Sequence, residues 1–226
     1  TNTESDLTVD AVAPRITRRT VIPQAGVPAK LVAERQEQID YYEENKPRRV
    51  WHVNIYSDNR VVENGPSVEF YLNGTKFVEG EYGDGLRVGD WKFWYPDGQL
   101  AKEGQYSEDK VHGAWRKYRE DGTISAEENY VGGTPDGQWN YYLSDGKTML
   151  QQNEFRAGKP NGTWTTWYQP GEDHQGPLQQ ANLLNYKDGV LDGEQKYWHE
   201  NGQQAMVQHF SEGKRHGKFF AWDQLG

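Results

Sequence analysis

The sequence predicts an all-β chain: an elongated single-layer antiparallel β-meander of about six to seven hairpin repeats, with an N-terminal extended arm and one short helix. Three observations carry this. First, Gly-x-Trp-x-x-aromatic-x-x-Asp-Gly recurs as Gly89 to Gly98, Gly113 to Gly122 and Gly137 to Gly146. Second, every copy divides at two glycine-containing turns into two strand-sized segments, as an antiparallel meander requires. Third, hydrophobic residues are only 34% of the chain, yet it holds 9 Trp and 14 Tyr, so burial rests on aromatic rings and not on an aliphatic core.

Residues 1–27 are polar, carry Pro14 and Pro23, show no sustained periodicity, and read as an arm or tether. Residues 28–49 hold the helix candidate, with Pro28 at a first-turn position, Val32, Ile39 and Tyr42 on one narrow stripe, and Lys46-Pro47 as its end. Residues 50–64 begin with Val50-Trp51-His52-Val53-Asn54-Ile55-Tyr56, of strand composition, and read as a degenerate capping repeat. The clean array spans residues 65–226, with units opening at Gly65, Gly89, Gly113, Gly137, Gly162, Gly193 and Gly217. Four of the intervals are 24 residues; one gains a single residue before Gly162, and one gains seven before Gly193.

Within the array each position has a job. Asp97-Gly98 and its counterparts suit tight hairpin turns, where both residues tolerate positive φ. Five residues after the opening glycine stands Phe70, Trp94, Tyr118, Tyr142, Trp167, Trp198 or Trp222. Two residues after it stands Trp91, Trp115, Trp139, Trp164 or Phe219, with Ser67 and Gln195 as exceptions. The second strand ends at Tyr82, Tyr106, Tyr130, Phe155, Tyr186 or Phe210. Stacked from unit to unit, these columns form aromatic ladders that hold the repeats together. Positions two and five differ by an odd number, so either a bulge intervenes or both sheet faces carry rings. With two strands per unit, the array is roughly 60 Å long.

The recurring Tyr-x-x-Gly-x-x-x-Gly-x-Trp run, as Tyr130 to Trp139, Phe155 to Trp164 and Phe210 to Phe219, resembles the bacterial variant of the MORN repeat found in YwqK-like antitoxins. The resemblance covers roughly Gly65 to Gly226 and departs in the Gly162 unit. It implies an elongated sheet without a catalytic constellation, acting as an interaction module, with a cognate toxin as the partner in the antitoxin case. A second resemblance, of Gln138 to Gly146 to choline- and glucan-binding surface repeats, implies a ligand held by exposed rings.

The formal charge of -9 falls wholly on the repeats, because acids and bases cancel between Thr1 and Arg49. Such an array is a poor match for nucleic-acid phosphates or anionic lipid headgroups. No cysteine is present, which rules out disulfides and a thiol nucleophile. There is no HExxH pattern among the six histidines and no Gly-x-Ser-x-Gly elbow, so neither an enzyme nor a cofactor or metal site is expected. The Asp-Gly turns admit a calcium reading, but hairpin backbone geometry accounts for them as well. No apolar run is long enough to span a membrane. The start at Thr1 fits either a processed exported protein tethered through an N-terminal lipid, which favours the cell envelope, or a fragment of a cytoplasmic protein.

Function is then expected to be non-catalytic: a protein-interaction or assembly scaffold, with a YwqK-like antitoxin or a choline- or polysaccharide-binding surface module as alternatives. Two regions offer partner contacts. One is the insertion around Glu172, Asp173, His174, Gln175 and Leu178, a loop of the kind that carries binding residues or is merely tolerated. The other is the broad sheet face, where exposed Trp and Tyr would anchor a protein.

Overall fold

The computed structural model describes residues 28–171 and 177–225. These build one open sheet of 19 antiparallel strands in which sequence neighbours pair. They are β1 (Leu31–Glu43), β2 (Lys46–Tyr56), β3 (Val61–Phe70), β4 (Lys76–Gly83), β5 (Leu86–Trp94), β6 (Leu100–Ser107), β7 (Lys110–Tyr118), β8 (Ile124–Val131), β9 (Thr134–Pro135), β10 (Gly137–Tyr142), β11 (Met149–Arg156), β12 (Lys159–Pro160), β13 (Gly162–Trp167), β14 (Gln180–Lys187), β15 (Val190–Leu191), β16 (Gly193–Trp198), β17 (Gln204–Ser211), β18 (Lys214–Arg215) and β19 (Phe220–Ala221). Strands β9 and β10 both pair with β8, as β12 and β13 do with β11 and β15 and β16 with β14. Each such pair is one crossing of the sheet interrupted at a bulge, the same place where β5 and β7 run on with a register shift.

The expected helix over residues 28–49 is absent; residues 31–43 form β1, paired along its length with β2. Val32, Ile39 and Tyr42, the proposed helical stripe, are exposed. A meander offers no second layer for such a stripe to dock on, whereas the strand-forming run of β2 offers a backbone ladder, and that tertiary pairing overrides helical propensity. Pro47 lies within β2 opposite Tyr41, where it ends no helix. The arm proposed for residues 1–27 lies outside the described residues.

The three aromatic columns sort onto two faces. Trp91 is opposite Gly104 and Phe93 opposite Lys102, whereas Lys92 is opposite Glu103, so Trp91 and Phe93 share one face and Lys92 and Trp94 the other. Of the two answers to the parity question, rings on both faces is the one observed; the bulges at opening glycines such as Gly89 and Gly113 come before position two. On the first face, the ladder face, Tyr82, Trp91, Tyr106 and Trp115 follow one another edge to face at 5.2, 5.7 and 5.1 Å. Tyr130, Trp139, Phe155, Trp164 and Tyr186 continue at 5.1, 4.9, 5.2 and 5.0 Å, more tilted. Each such pair contributes about 0.5–1.5 kcal/mol beyond its buried area.

A column the sequence reading did not pick out also crosses every complete unit boundary but one. The residue after the fifth-position aromatic reaches over the turn to the carbonyl of the next fifth-position residue. The Tyr71 hydroxyl donates to the Trp94 oxygen at 2.8 Å, Tyr95 to Tyr118 at 2.7 Å and Tyr168 to Trp198 at 2.8 Å. The Arg119 guanidinium makes the same link to Tyr142, and the His199 ring meets the Trp222 oxygen at 3.0 Å. At the remaining boundary the position is Leu143, which has nothing to donate.

Candidate interaction surface

The two faces of the sheet differ in charge. On the charged face a cross-strand row runs Glu79, Lys92, Glu103, Arg116, Glu127, alternating in sign across five strands. Arg116 pairs with Glu127 at 3.1 Å, Lys76 with Glu79 at 2.5 Å, and the Tyr118 and Tyr142 hydroxyls donate to Glu103 and Glu127. Such a row satisfies itself and stabilises the sheet; exposed pairs of this kind are worth up to about 1 kcal/mol each.

On the ladder face the N-terminal units also carry charge. Arg49, 6% exposed, fills the space left by Ser67 at the second position. Its guanidinium meets Glu63 at 2.9 Å and the Ser67 hydroxyl at 3.3 Å and lies 5.6 Å over the Tyr82 ring, where a tryptophan stands in later units. Burial pushes the Glu69 carboxyl up despite the Arg49 charge beside it. Lys102 sits opposite Lys117, eased by the Phe93 ring 4.4 Å under one ammonium and by buried Glu128 at 2.8 Å from the other.

From β10 to β17 the ladder face changes character: among the described residues no Asp, Glu, Lys or Arg stands on it. One row runs Tyr141, Gln151, Thr166, Asn182, Tyr197, Met206, and a parallel one holds Trp139, Asn153, Trp164, Leu184, Gln195 and Gln208. The rings of Trp139, Phe155, Trp164 and Tyr186 are half-buried, whereas Trp91 and Trp115 are 4% exposed. The cause is what lies beneath. Trp91 and Trp115 lie on Gly80 and Gly104, whereas the same column then holds Glu128 and Asn153, whose side chains keep Trp139 and Trp164 from settling flat.

The amide groups under this surface are largely bonded to one another. Trp115, Trp139 and Trp164 each donate an indole N–H to the carbonyl of Gln105, Asn129 and Glu154. Gln195, fully buried in place of a tryptophan, donates to the equivalent Asn185 carbonyl at 3.0 Å and accepts the Asn185 N–H at 2.8 Å. Among the described residues, two buried side-chain oxygens, Asn182 Oδ1 and Gln208 Oε1, lack a partner.

The remaining expected sites fare as follows. Glu172, Asp173, His174 and Gln175 lie outside the described residues; Leu178 is half-buried and lines a depression of about 180 Å³ with Tyr168, Pro170, Gln179 and Glu200. Of the repeat-packing rings, Trp91, Trp115, Trp139 and Trp164 join the ladder; Trp94, Tyr118, Tyr142 and Trp198 are half-buried and their carbonyls or hydroxyls join units, and Trp167, facing Leu143 across its boundary, is half-buried without that link. Trp222 is exposed and stacks on Phe220 at 5.9 Å.

The turn carboxylates are engaged locally. Asp97, Asp121 and Asp145 each accept the amide of the residue two further on. The Thr148 hydroxyl and the amides of Lys147 and Thr148 hold the Asp145 carboxyl down at about 2. Among the described residues no group of three or more His, Asp or Glu is placed to hold a metal.

The edge strand β1 is guarded. Arg35 kinks it with a φ of 47°, Gln36 and Gln38 cap the carbonyls of Glu34 and Glu37, and Asp40 accepts the Tyr41 amide. These are devices that discourage strand addition, so the uncharged half of the ladder face is the better candidate for contact.

The architecture is that of an open β-repeat array with two broad sheet faces. Three of its segments, residues 87–108, 111–131 and 191–210, match the family model described as the MORN repeat variant. MORN repeats are generally associated with protein or membrane interaction, and theirs is not an enzyme family. No curated protein matches the chain. Among the described residues no helix is long and apolar enough to cross a membrane.

Proposed function

We propose that the chain is a non-catalytic interaction scaffold whose contact surface is the uncharged half of the ladder face, from β10 to β17. One observation carries the reading: in a chain that is 26% charged, no Asp, Glu, Lys or Arg among the described residues stands on that half-face, while Trp139, Phe155, Trp164 and Tyr186 are half-exposed there. Depletion of charge with enrichment of aromatic side chains and Met marks the centre of protein interfaces. A choline cage is less well supported, because neighbouring rings cover one another at about 5 Å.

The test is native purification followed by mass spectrometry, comparing the unaltered chain with Trp164→Ala. A complex that the substitution weakens by at least tenfold supports the scaffold reading. A single small toxin in that complex would give it the antitoxin form, and retention of the free chain on choline or glucan resin would replace it with the surface-module form. A complex indifferent to Trp164→Ala overturns the assignment of the face.

A further inference from the structure

We infer that His112 makes one tie between neighbouring turns responsive to pH: its neutral imidazole holds the turn after β8, and protonation releases it. The tie belongs to a second column, on the long edge of the sheet opposite the tyrosine hydroxyls. There the side chain just before an opening glycine accepts the backbone N–H two residues past the aromatic that ends the following second strand. Asn64 Oδ1 accepts from Asp84 at 3.2 Å, Asp136 Oδ2 from Ala157 at 2.9 Å, Asn161 Oδ1 from Asp188 at 3.5 Å and Asp192 Oδ2 from Glu212 at 3.0 Å. The four donor residues share a left-handed backbone, with φ of 50°, 48°, 52° and 49°. His112 Nδ1 completes the set, accepting from Gly132, φ 57°, at 3.4 Å.

The acceptors differ in what a proton does to them. Carboxylates and carboxamides accept throughout the neutral range, whereas an imidazole accepts only while one of its nitrogens is bare. Histidine is also the side chain that changes charge between about pH 5 and 8. For Gly132 to donate to Nδ1, the ring must carry its proton on Nε2; a second proton, on Nδ1, sets one N–H against another. The other histidine that bridges units responds differently. A carbonyl only accepts, so His199 donates to the Trp222 oxygen in either charge state.

The surroundings of His112 are mixed in charge. Lys110 stands two residues away on the same face of β7, and Gln105, opposite His112 on β6, holds the Asp90 carboxylate of β5 through a 2.9 Å bond. The turn Val131-Gly132-Gly133 carries no charge. The Gly133 N–H keeps its own bond to the Val111 oxygen at 2.8 Å, so release is confined to the tip of the turn. That turn leads through β9 into β10, the first strand of the uncharged half-face. Acid therefore loosens the entry to that surface; this consequence rests on the proposed contact face, whereas the tie itself does not.

Nuclear magnetic resonance on the full chain, titrated from about pH 8 to about pH 5, tests this. The Gly132 amide resonance is expected to move with the same midpoint as the His112 ring. Its protection against exchange, corrected for the intrinsic rate at each pH, is expected to fall about three- to tenfold, the range of one hydrogen bond. The Ala157 amide, held by Asp136, should do neither. His112→Asn supplies an acceptor that does not titrate and is expected to remove the pH dependence at Gly132, with far-ultraviolet circular dichroism confirming the fold. Gly132 protection that stays constant while the His112 ring titrates overturns the inference, and so does a loss that persists in His112→Asn. Both measurements read the tie alone, so failure of the scaffold reading would leave them as they are.

Discussion

The indole of Trp91 lies directly on the backbone of Gly80: a Cβ built on Gly80 would come within 2.2 Å of the ring carbons. Trp115 stands in the same relation to Gly104, again at 2.2 Å. Neither glycine is held at positive φ, so the requirement is for space and not for backbone freedom. Gly80→Ala is expected to destabilise the N-terminal units by about 2–3 kcal/mol, the cost of overpacking a filled site. Urea unfolding followed by tryptophan fluorescence measures it. In Trp91→Ala the same change should cost far less, and a double-mutant cycle that shows no coupling would remove the steric explanation.

Tyr95→Phe deletes the hydroxyl that donates to the Tyr118 carbonyl and nothing else. The expected loss is about 0.5–1.5 kcal/mol. The converse change is more telling. Leu143→Tyr supplies the missing donor at the one unlinked complete boundary and should raise stability by about 0.5–1 kcal/mol. Denaturation midpoints of the two variants, moving in opposite directions, are the outcome to look for; a lower midpoint for Leu143→Tyr would count against the column as a stabilising device.

Among the described residues Gln195 is the polar side chain most deeply enclosed, with no exposed surface and hydrogen bonds to both the amide and the carbonyl of Asn185. Gln195→Leu keeps much of the volume but strands the Asn185 N–H, while the Asn185 carbonyl keeps the Asp192 N–H at 2.9 Å. A loss of about 1–3 kcal/mol is expected, larger than for an exposed glutamine such as Gln36. Amide exchange at Asn185 should quicken in the variant; unchanged protection there would show that the pairing matters little.

Alkaline pH should loosen the ladder face. Burial, with the negative charge of Glu63 nearby, lifts the Tyr82 hydroxyl from 10.0 to about 12, and burial with Glu128 nearby lifts Tyr141 equally. The folded chain holds these protons more tightly than the unfolded chain. Their stabilising contribution is therefore full below about pH 10 and is lost as pH rises through about 12. Absorbance at the phenolate band, followed against circular dichroism, should show these tyrosines ionising with unfolding and not before it.

The meander, its unit boundaries and three ring columns could be read from spacing alone, because glycine turns and aromatic positions repeat in register. Residues 31–43 misled for a reason. Val32, Ile39 and Tyr42 fit a helical stripe, and only the presence of β2 alongside reveals that there is nothing for that stripe to bury against. The hydroxyl column at Tyr71, Tyr95 and Tyr168 was visible as a recurring tyrosine, but its partner is a backbone carbonyl, which no sequence marks. The uncharged half-face was hidden differently. Its residues are two apart along each strand, and only the observed register shows that Tyr141, Gln151, Thr166 and Asn182 stand in one row.

The links from Tyr71 to Trp94 and from Tyr95 to Tyr118 each span one boundary, as does the backbone bond from Gly133 to Val111. No unit depends on one beyond its neighbour for these ties. A gene segment of 24 codons could therefore be duplicated within this stretch and its product would slot in with every donor already facing an acceptor, so that length is a quantity evolution can adjust one unit at a time.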